Sequence, residues 1–164
     1  MKEYRVGFGF DVHRISKKKK KLILGGSVIP CPFGLEAVSD GDVVLHAISD
    51  ALCGATVIGD IGDYFPPEDK SCKNIDSKLI VKEILKKTSK NFKTVNLDIT
   101  IIAEKPRLIK YKKRIISSLR KIISVKNINL KIKSKEGLSI LGGVNAMACV
   151  VIVLMKRAKA FKNA

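Results

Sequence analysis

The sequence contains no tryptophan, two histidines and four cysteines in 164 residues. The cysteines are Cys31, Cys53, Cys72 and Cys149, which are widely spaced and form no C-x-x-C pair. This spacing argues against a zinc-thiolate site, and disulfides are rare in chains that are not secreted. We therefore predict four free thiols.

The sequence also has little that suggests export or membrane insertion. Its longest apolar candidate, residues 146–155, is far shorter than the roughly 20 residues that span a bilayer. Residues 4–10 alternate in polarity and lack the apolar region of a secretory signal. We expect a soluble protein of the bacterial cytoplasm, with a plastid protein stripped of its transit peptide as the alternative.

The formal net charge of +17 resembles that of a nucleic-acid-binding domain. Residues 17–21 are five consecutive lysines, but no aromatic residue is interleaved with them, so base stacking has little support. A basic RNA-binding module therefore stays a minor alternative, which a steep salt dependence of RNA affinity would favour. An anionic small-molecule substrate would be attracted by the same field.

The hydrophobic pattern predicts an α+β fold built on several strands. An apolar run with both faces apolar is typical of a strand inside a sheet or at a subunit interface. We expect the short second strand to pair with the first. The predicted strands are residues 4–10, 22–24, 95–101, 128–132 and 146–155.

Helical periodicity predicts three helices between these strands. The first should begin near Ser39, as its N-cap, and stop near Gly59. The second should be capped near Asp76, and the third should have Pro106 at its first position. The order of elements favours a single domain over residues 1–164. The expected architecture is a ferredoxin-like sandwich, a mixed sheet with helices on one face.

Asp11 and His13 form the clearest candidate for a metal site. Residues two apart in a strand point to the same face, so the carboxylate and the imidazole can converge. The only other histidine, His46, lies on the first predicted helix. Three such ligands with an open fourth position define a catalytic zinc site. One turn after His46, Asp50 is predicted to orient that imidazole and to act in catalysis.

Two further polar segments are candidate site elements. Residues 60–73 contain Pro66 and Pro67 and predict a mobile loop, and its part 60–69 is rich in acids and turn residues. Ser134, Lys135 and Glu136 bring together a hydroxyl, a cation and a carboxylate, which can contact phosphates and bind a hard cation such as Mg²⁺.

Five separated segments resemble the signature segments of the 2-C-methyl-D-erythritol 2,4-cyclodiphosphate synthase family, in the family's order. The resemblance covers essentially the whole chain, and five motifs together are far more specific than any one. The segments are residues 5–13 (RVGFGFDVH), 39–46 (SDGDVVLH), 59–66 (GDIGDYFP), 103–106 (AEKP) and 135–138 (KEGL).

The resemblance implies one zinc ion per active site, held by Asp11, His13 and His46, and a Mg²⁺ or Mn²⁺ held by Glu136 on the substrate diphosphate. It implies a homotrimer whose sheets face the threefold axis, with active sites between subunits. The implied substrate is 4-diphosphocytidyl-2-C-methyl-D-erythritol 2-phosphate, which cyclises with release of CMP. Neither a membrane nor a nucleic acid is an implied partner.

The resemblance also implies roles for individual residues. Ser134 would contact the diphosphate in the transition state. Ala103, Pro106, Arg107 and Leu108 would line the cytidine pocket. The other implied substrate contacts are Asp11, His13, Ser39, Asp60, Ile61, Gly62, Phe65, Asp69, Lys135 and Glu136.

Three positions depart from the family pattern. Val38 stands where the family usually has a histidine, which removes one phosphate contact. Ser134 replaces a threonine and keeps the hydroxyl. Gly143 stands where many members have an arginine near the trimer axis, so that cation is missing from the central cavity. A metal-dependent phosphohydrolase, with water as nucleophile, is the alternative enzyme.

Overall fold

A computed structural model describes residues 2–158, apart from the side chains of residues 140–142. The predicted domain 1–164 extends beyond this part of the chain and stays a prediction. The helices are α1 (Val43–Thr56), α2 (Ser77–Thr88) and α3 (Lys112–Ile123). The strands are β1 (Tyr4–Arg14), β2 (Leu22–Leu24), β3 (Ser27–Ile29), β4 (Phe92–Ile102), β5 (Asn127–Lys133) and β6 (Ala146–Arg157).

Four strands form a mixed sheet in the order β1-β6-β4-β5. Strand β6 is antiparallel to β1 and β4, and β4 is parallel to β5. The prediction of a buried strand at residues 146–155 is confirmed, since β6 lies between two partners. A ferredoxin-like chain has the order β-α-β-β-α-β. Here the four strands of this sheet and the three helices follow one another along the chain as β-α-α-β-α-β-β. The mixed α+β sandwich is therefore confirmed, but the order of elements is not the ferredoxin-like one.

The predicted pairing of residues 22–24 with the first strand is wrong. Strand β2 instead pairs with β3 in a separate two-stranded sheet. The turn between them is Gly25–Gly26, and both glycines have positive φ, 58° and 74°. Two-residue hairpin turns with positive φ favour glycine at both positions. The two glycines therefore end β2 and turn the chain into β3.

The N-cap of α1 is Asp42 rather than Ser39. The Asp42 carboxylate accepts hydrogen bonds from the backbone N–H groups of Val44 and Leu45, both at 3.1 Å. It also accepts from Gly25 and Gly26 at 2.9 and 2.6 Å, which ties the β2–β3 turn to the helix. Burial raises the pKa of Asp42 to about 6, against these hydrogen bonds. Serine and aspartate are both good N-caps, so the sequence alone does not choose between them.

The second helix begins after Asp76, as predicted, with the Asp76 carboxylate accepting from the Lys78 N–H. The predicted start of the third helix at Pro106 is wrong. The Lys105–Pro106 peptide is cis, a 3₁₀ turn covers Leu108–Tyr111, and α3 begins at Lys112. A proline after a strand fits a turn as well as a first helical residue, and the pattern did not separate the two.

Helix α1 packs directly on the backbone of β1. Gly7 and Gly9 lie under it, and a Cβ atom on either would come within 1.9 Å of the carbonyl oxygen of Ala51 or Ala47. No side chain fits in that space. Asp11 and His13 continue the same face of β1, because alternate residues of a strand share a face. The two glycines therefore bring α1 close to the end of β1 that carries the polar residues.

The helices cover one face of the sheet, and the other face is open. Helix α1 contacts β1 and β6, α3 contacts β5, and α2 packs on α1 and α3. On the opposite face of β1, Val6 is 66% and Phe8 62% exposed, and neighbouring Ile152 of β6 is 45% exposed. Within residues 2–158, no helix combines the length and apolar character that crossing a bilayer requires.

The carboxyl ends of β1, β4 and β5 lie at the same edge of the sheet. Val12 pairs with Ala148, which pairs with Ile102, which pairs with Lys133, so these four residues form a row across the strands. His13 and the candidate segments that follow β4 and β5 lie beyond this row. The residues directly beyond it on β1, β4 and β5 are His13, Ala103 and Ser134.

Candidate metal centre and adjoining cavity

Three donor atoms from β1 and α1 form a nearly equilateral triangle. Asp11 Oδ2 lies 3.0 Å from His13 Nε2 and 3.0 Å from His46 Nδ1, and the two imidazole nitrogens are 3.1 Å apart. All three residues are partly buried. The predicted convergence of these three side chains is confirmed, and it depends on the close packing of α1 on Gly7 and Gly9.

The triangle has the dimensions of a metal site. Tetrahedral zinc with bonds of about 2.0 Å to nitrogen and oxygen separates its ligands by roughly 3.3 Å. The observed edges of 3.0–3.1 Å are close to that value. A carboxylate and two imidazoles suit a divalent ion of intermediate softness, and three protein ligands leave a coordination position for substrate. The residues present therefore fit a divalent metal.

The electrostatics of the triangle also favour a cation. Burial raises the pKa of Asp11, but hydrogen bonds from His13 and His46 outweigh this and hold the pKa well below its usual range. Burial lowers the pKa of His46, but the neighbouring Asp11 outweighs it and the net pKa is raised. An ionised carboxylate thus faces two imidazole nitrogens, and a bound cation would stabilise the same arrangement.

The outward nitrogen of His46 contacts two serines. His46 Nε2 lies 3.0 Å from Ser39 Oγ and 3.0 Å from Ser77 Oγ. The sequence predicted that Asp50 would orient this imidazole, and the structure gives Asp50 another partner. Asp50 Oδ1 accepts from the Ile61 N–H at 3.0 Å and so positions the following loop. Burial raises the pKa of Asp50. A catalytic role for Asp50 stays a prediction.

A cavity of about 380 Å³ opens on the two histidines. It contains several of the residues that the sequence selected, which confirms that they lie together. Its walls are mostly apolar, as in small-molecule sites generally. The lining residues are His13, Ala37, Val38, Ser39, His46, Ile61, Gly62, Phe65, Pro67, Cys72, Ile75 and Ile80.

Hydrogen bonds from backbone N–H groups to its own aspartates partly order the loop that bounds this cavity. Asp60 and Asp63 each accept the other's backbone N–H, at 3.2 and 3.1 Å. Asp69 accepts from the Ser71 N–H at 2.8 Å and caps the 3₁₀ turn Lys70–Cys72. Asp69 borders a neighbouring groove, beyond Val38 and Pro67, rather than the cavity itself.

The second candidate cluster lies at the same sheet edge but apart from the triangle. With strands about 4.8 Å apart, three spacings from β1 to β5 place Ser134 roughly 14 Å from His13. Ser134 donates a hydrogen bond to Glu136, whose φ is positive at 51°. In the described part of the chain, Glu136 belongs to no set of three metal-ligating side chains. Ala103, Pro106, Arg107 and Leu108 follow β4 between the two clusters.

Lys135 is buried, unlike its neighbours in this cluster. It is 5% exposed, and its ammonium donates to the carbonyl oxygens of Gly143 and Ala146. Its backbone N–H donates to Glu104 at 2.6 Å, which joins the loops after β4 and β5. The two carbonyl contacts give the ammonium a structural role, because they join the loop after β5 to the segment that begins β6. The predicted substrate contact of Lys135 stays a prediction.

Sequence reasoning missed the residues that reach the site from α2 and its preceding loop. Ser77 contacts His46, and Ile75 and Ile80 line the cavity. The only local signal at Ser77 is its place after the Asp76 cap, which predicts a helix start and no contact with a residue 31 positions earlier. Such a contact arises only when α2 packs on α1.

Comparison with known proteins agrees with the fold and identifies the family. The sequence model of the YgbB family matches residues 4–156. The bifunctional enzyme IspD/IspF of Pelagibacter ubique is 48% identical over 151 residues, which are 90% of this chain and 40% of that protein. The 2-C-methyl-D-erythritol 2,4-cyclodiphosphate synthase of Francisella philomiragia is 41% identical over 157 residues, 94% of this chain and 99% of that protein.

A solved structure of a 2-C-methyl-D-erythritol 2,4-cyclodiphosphate synthase in a CDP-bound form superposes with a TM-score of 0.84 at 30% identity. The alignment covers 92% of this chain and 99% of that one. The fold and the comparisons define an α+β protein of the cyclodiphosphate synthase type, with a candidate metal site. The chain belongs to the YgbB family. It spans less than half of the first relative and nearly all of the second.

Proposed function

We propose that this chain is a 2-C-methyl-D-erythritol 2,4-cyclodiphosphate synthase of isoprenoid precursor biosynthesis. Its substrate would be 4-diphosphocytidyl-2-C-methyl-D-erythritol 2-phosphate. An oxygen of the 2-phosphate attacks the β-phosphorus, the bond from that phosphorus to the CMP oxygen breaks, and CMP leaves. No water is consumed, and no covalent enzyme intermediate is needed. The observation that carries the proposal is the triangle of Asp11, His13 and His46 beside a cavity that both histidines line, in a member of this family.

Zinc bound by the triangle would polarise a phosphoryl oxygen, and a Mg²⁺ or Mn²⁺ held by Glu136 would neutralise the diphosphate. One carboxylate together with substrate phosphates is a common way for a protein to hold Mg²⁺. The chain's own contribution is positioning and charge complementarity, which dominate phosphoryl transfer.

Ser39 is suited to bind a phosphate beside the metal. Its hydroxyl oxygen accepts from the Gly41 N–H at 3.1 Å and lies 3.0 Å from His46 Nε2. The Gly41 N–H occupies one lone pair of the hydroxyl oxygen, and the hydroxyl proton can donate to a phosphate oxygen in the cavity. Phe65, Ile61 and Gly62 supply a largely apolar wall beside it, and keeping water out of the bound substrate would favour cyclisation over hydrolysis.

We propose that the active enzyme is a homotrimer with sites between subunits. The apolar stripe of Val6, Phe8 and Ile152 on the open sheet face needs cover, and threefold association of sheets would provide it. A span of roughly 14 Å between His13 and Ser134 of one chain is too long for both to contact one diphosphate. A neighbouring chain would therefore supply Ser134, Glu136 and the cytidine pocket of Ala103, Pro106, Arg107 and Leu108.

The direct test is incubation of purified protein with this substrate, followed by ³¹P NMR. We expect CMP and a cyclic diphosphate in equal amounts, loss of activity with a chelator, and recovery with Zn²⁺ plus Mg²⁺. CMP with linear phosphates would identify the metal-dependent phosphohydrolase instead. An absence of turnover with RNA binding that falls steeply with salt would favour the RNA-binding alternative.

A further inference from the structure

A chain of hydrogen bonds runs from Asp40 through Ser77 to His46. The Ser77 hydroxyl oxygen lies 2.5 Å from Asp40 Oδ1 and 3.0 Å from His46 Nε2. Ser77 is fully buried and is the first residue of α2, so the contact joins α2 to α1. We infer that Ser77, with its proton held by Asp40, is a positioning residue that fixes the tautomer of His46 for metal binding.

The direction of these hydrogen bonds follows from counting protons. A serine hydroxyl has one proton and two lone pairs, and an ionised carboxylate only accepts. The Asp40 carboxylate also accepts from the backbone N–H groups of Ser77 and Asp42, both at 3.2 Å. The Ser77 proton therefore points to Asp40, and the oxygen presents a lone pair to His46. His46 Nε2 must then carry a proton and donate it.

A proton on Nε2 determines the state of Nδ1, the other ring nitrogen of His46. A neutral imidazole protonated at Nε2 has a bare lone pair at Nδ1. In the structure this atom lies 3.0 Å from Asp11 Oδ2 and 3.1 Å from His13 Nε2, at the corner of the triangle. With the proton on Nδ1 instead, the N–H would point into the space between the ligands and compete with a cation. When the ring is protonated on both nitrogens, the Nδ1–H donates to Asp11. Because Ser77 and Asp40 hold the Nε2 proton in place, the neutral ring that remains after Nδ1 loses its proton is the metal-binding tautomer.

Ser39 does not duplicate this effect, although it is equally close to His46 Nε2. The Ser39 hydroxyl accepts from the Gly41 N–H, and its own proton can still turn toward or away from the imidazole. It is therefore compatible with either tautomer. Partners that bind the second nitrogen of a ligating histidine typically change metal affinity 10–100-fold when removed.

This inference rests on the proposed metal role of the triangle, so its test uses two independent readouts. The first is the ¹⁵N spectrum of the imidazoles in the metal-free protein, at a pH where both rings are neutral. The chain has only two histidines, so the signals are readily assigned. The second is Zn²⁺ affinity measured by competition with a chromophoric chelator.

Four variants separate positioning from general damage. Ser77→Ala removes the hydroxyl, and Asp40→Asn lets the Ser77 hydroxyl reverse its direction. Ser77→Thr keeps the hydroxyl and serves as the conservative rescue. Ser49→Ala is the matched control, because Ser49 is also buried and its hydroxyl donates to the Leu45 carbonyl at 2.9 Å, away from the ligands.

We expect the parent, Ser77→Thr and Ser49→Ala to show His46 protonated at Nε2, with equal Zn²⁺ affinity. Ser77→Ala and Asp40→Asn should show population of the Nδ1-protonated form and a loss of Zn²⁺ affinity of about 10-fold or more. If Ser77→Ala does not fold, Asp40→Asn carries the test. A metal-free parent with His46 protonated at Nδ1, or unchanged affinity in both variants, overturns the inference. A parent with the expected tautomer but no Zn²⁺ binding refutes the proposed metal site instead.

Discussion

Gly9 lies directly beneath Ala47, so close that a Cβ atom on Gly9 would come within 1.9 Å of the Ala47 carbonyl oxygen. His46 directly precedes Ala47 on α1, and the next residue after Gly9 on the same face of β1 is Asp11. The distance between strand and helix at this glycine therefore sets the size of the metal triangle. Any side chain here would push α1 away and widen the spacing between the ligands.

We predict that Gly9→Ala destabilises the protein by about 3 kcal/mol or more, because the clash is with backbone rather than with a flexible side chain. Zn²⁺ affinity should fall with it. Denaturant unfolding and chelator competition measure the two effects. Gly54→Ala is the matched control, since the nearest atom to its added Cβ is 3.9 Å away, and alanine within a helix should add about 0.5–1 kcal/mol. Equal stability of the two variants would contradict the close approach.

We predict that His46→Ala loses bound zinc and activity while the fold persists. The substitution removes one of three proposed ligands, and the surrounding core from α1 and the sheet stays in place. Elemental analysis and circular dichroism give the two readouts. Zinc content equal to that of the parent would remove His46 from the metal site.

We predict that Glu136→Gln leaves zinc bound but raises the Mg²⁺ concentration needed for turnover. The amide lacks the anionic oxygen that a hard cation prefers. A Mg²⁺ titration of the rate at fixed Zn²⁺ measures the shift. An unchanged titration curve would place Glu136 outside the active site.

We predict that Phe8→Asp shifts the protein from trimer to monomer and lowers activity in parallel. Phe8 is 62% exposed and pairs with Ile152 on the open sheet face, where a carboxylate would be buried by association. Light scattering of the parent should give three times the chain mass of 18.0 kDa. Activity of the parent should fall on dilution through the assembly equilibrium.

Val57→Asp is the control for the trimer experiment. Val57 is 79% exposed but lies at the end of α1, away from the open sheet face. This variant should keep the mass and activity of the parent. A fully active monomer of the parent chain would refute both the interface and the shared active site.

The sequence was sufficient for the elements whose signal is local. Alternation over residues 95–101 predicted β4, and the Asp76 cap predicted the start of α2, because strand periodicity and capping each depend on neighbouring residues alone. Asp11 and His13 were predictable as a pair for the same reason. The pairing of β2 with β3 was not predicted, because a Gly-Gly pair can either end a strand or form the turn of a hairpin. The sequence is the same in both cases.

The sequence by itself determined the mixed α+β class, the family, and the three candidate ligands, since these depend on residue type and short spacing. Only the tertiary structure decided that Asp42 rather than Ser39 caps α1, that Asp50 holds Ile61, and that Ser77 rather than Asp50 contacts His46. Each of these choices is a competition between equally suitable polar groups. Helix α1 packs on the glycines of β1, and α2 packs on α1. This packing places one of the polar groups within hydrogen-bond distance and leaves the other too far away.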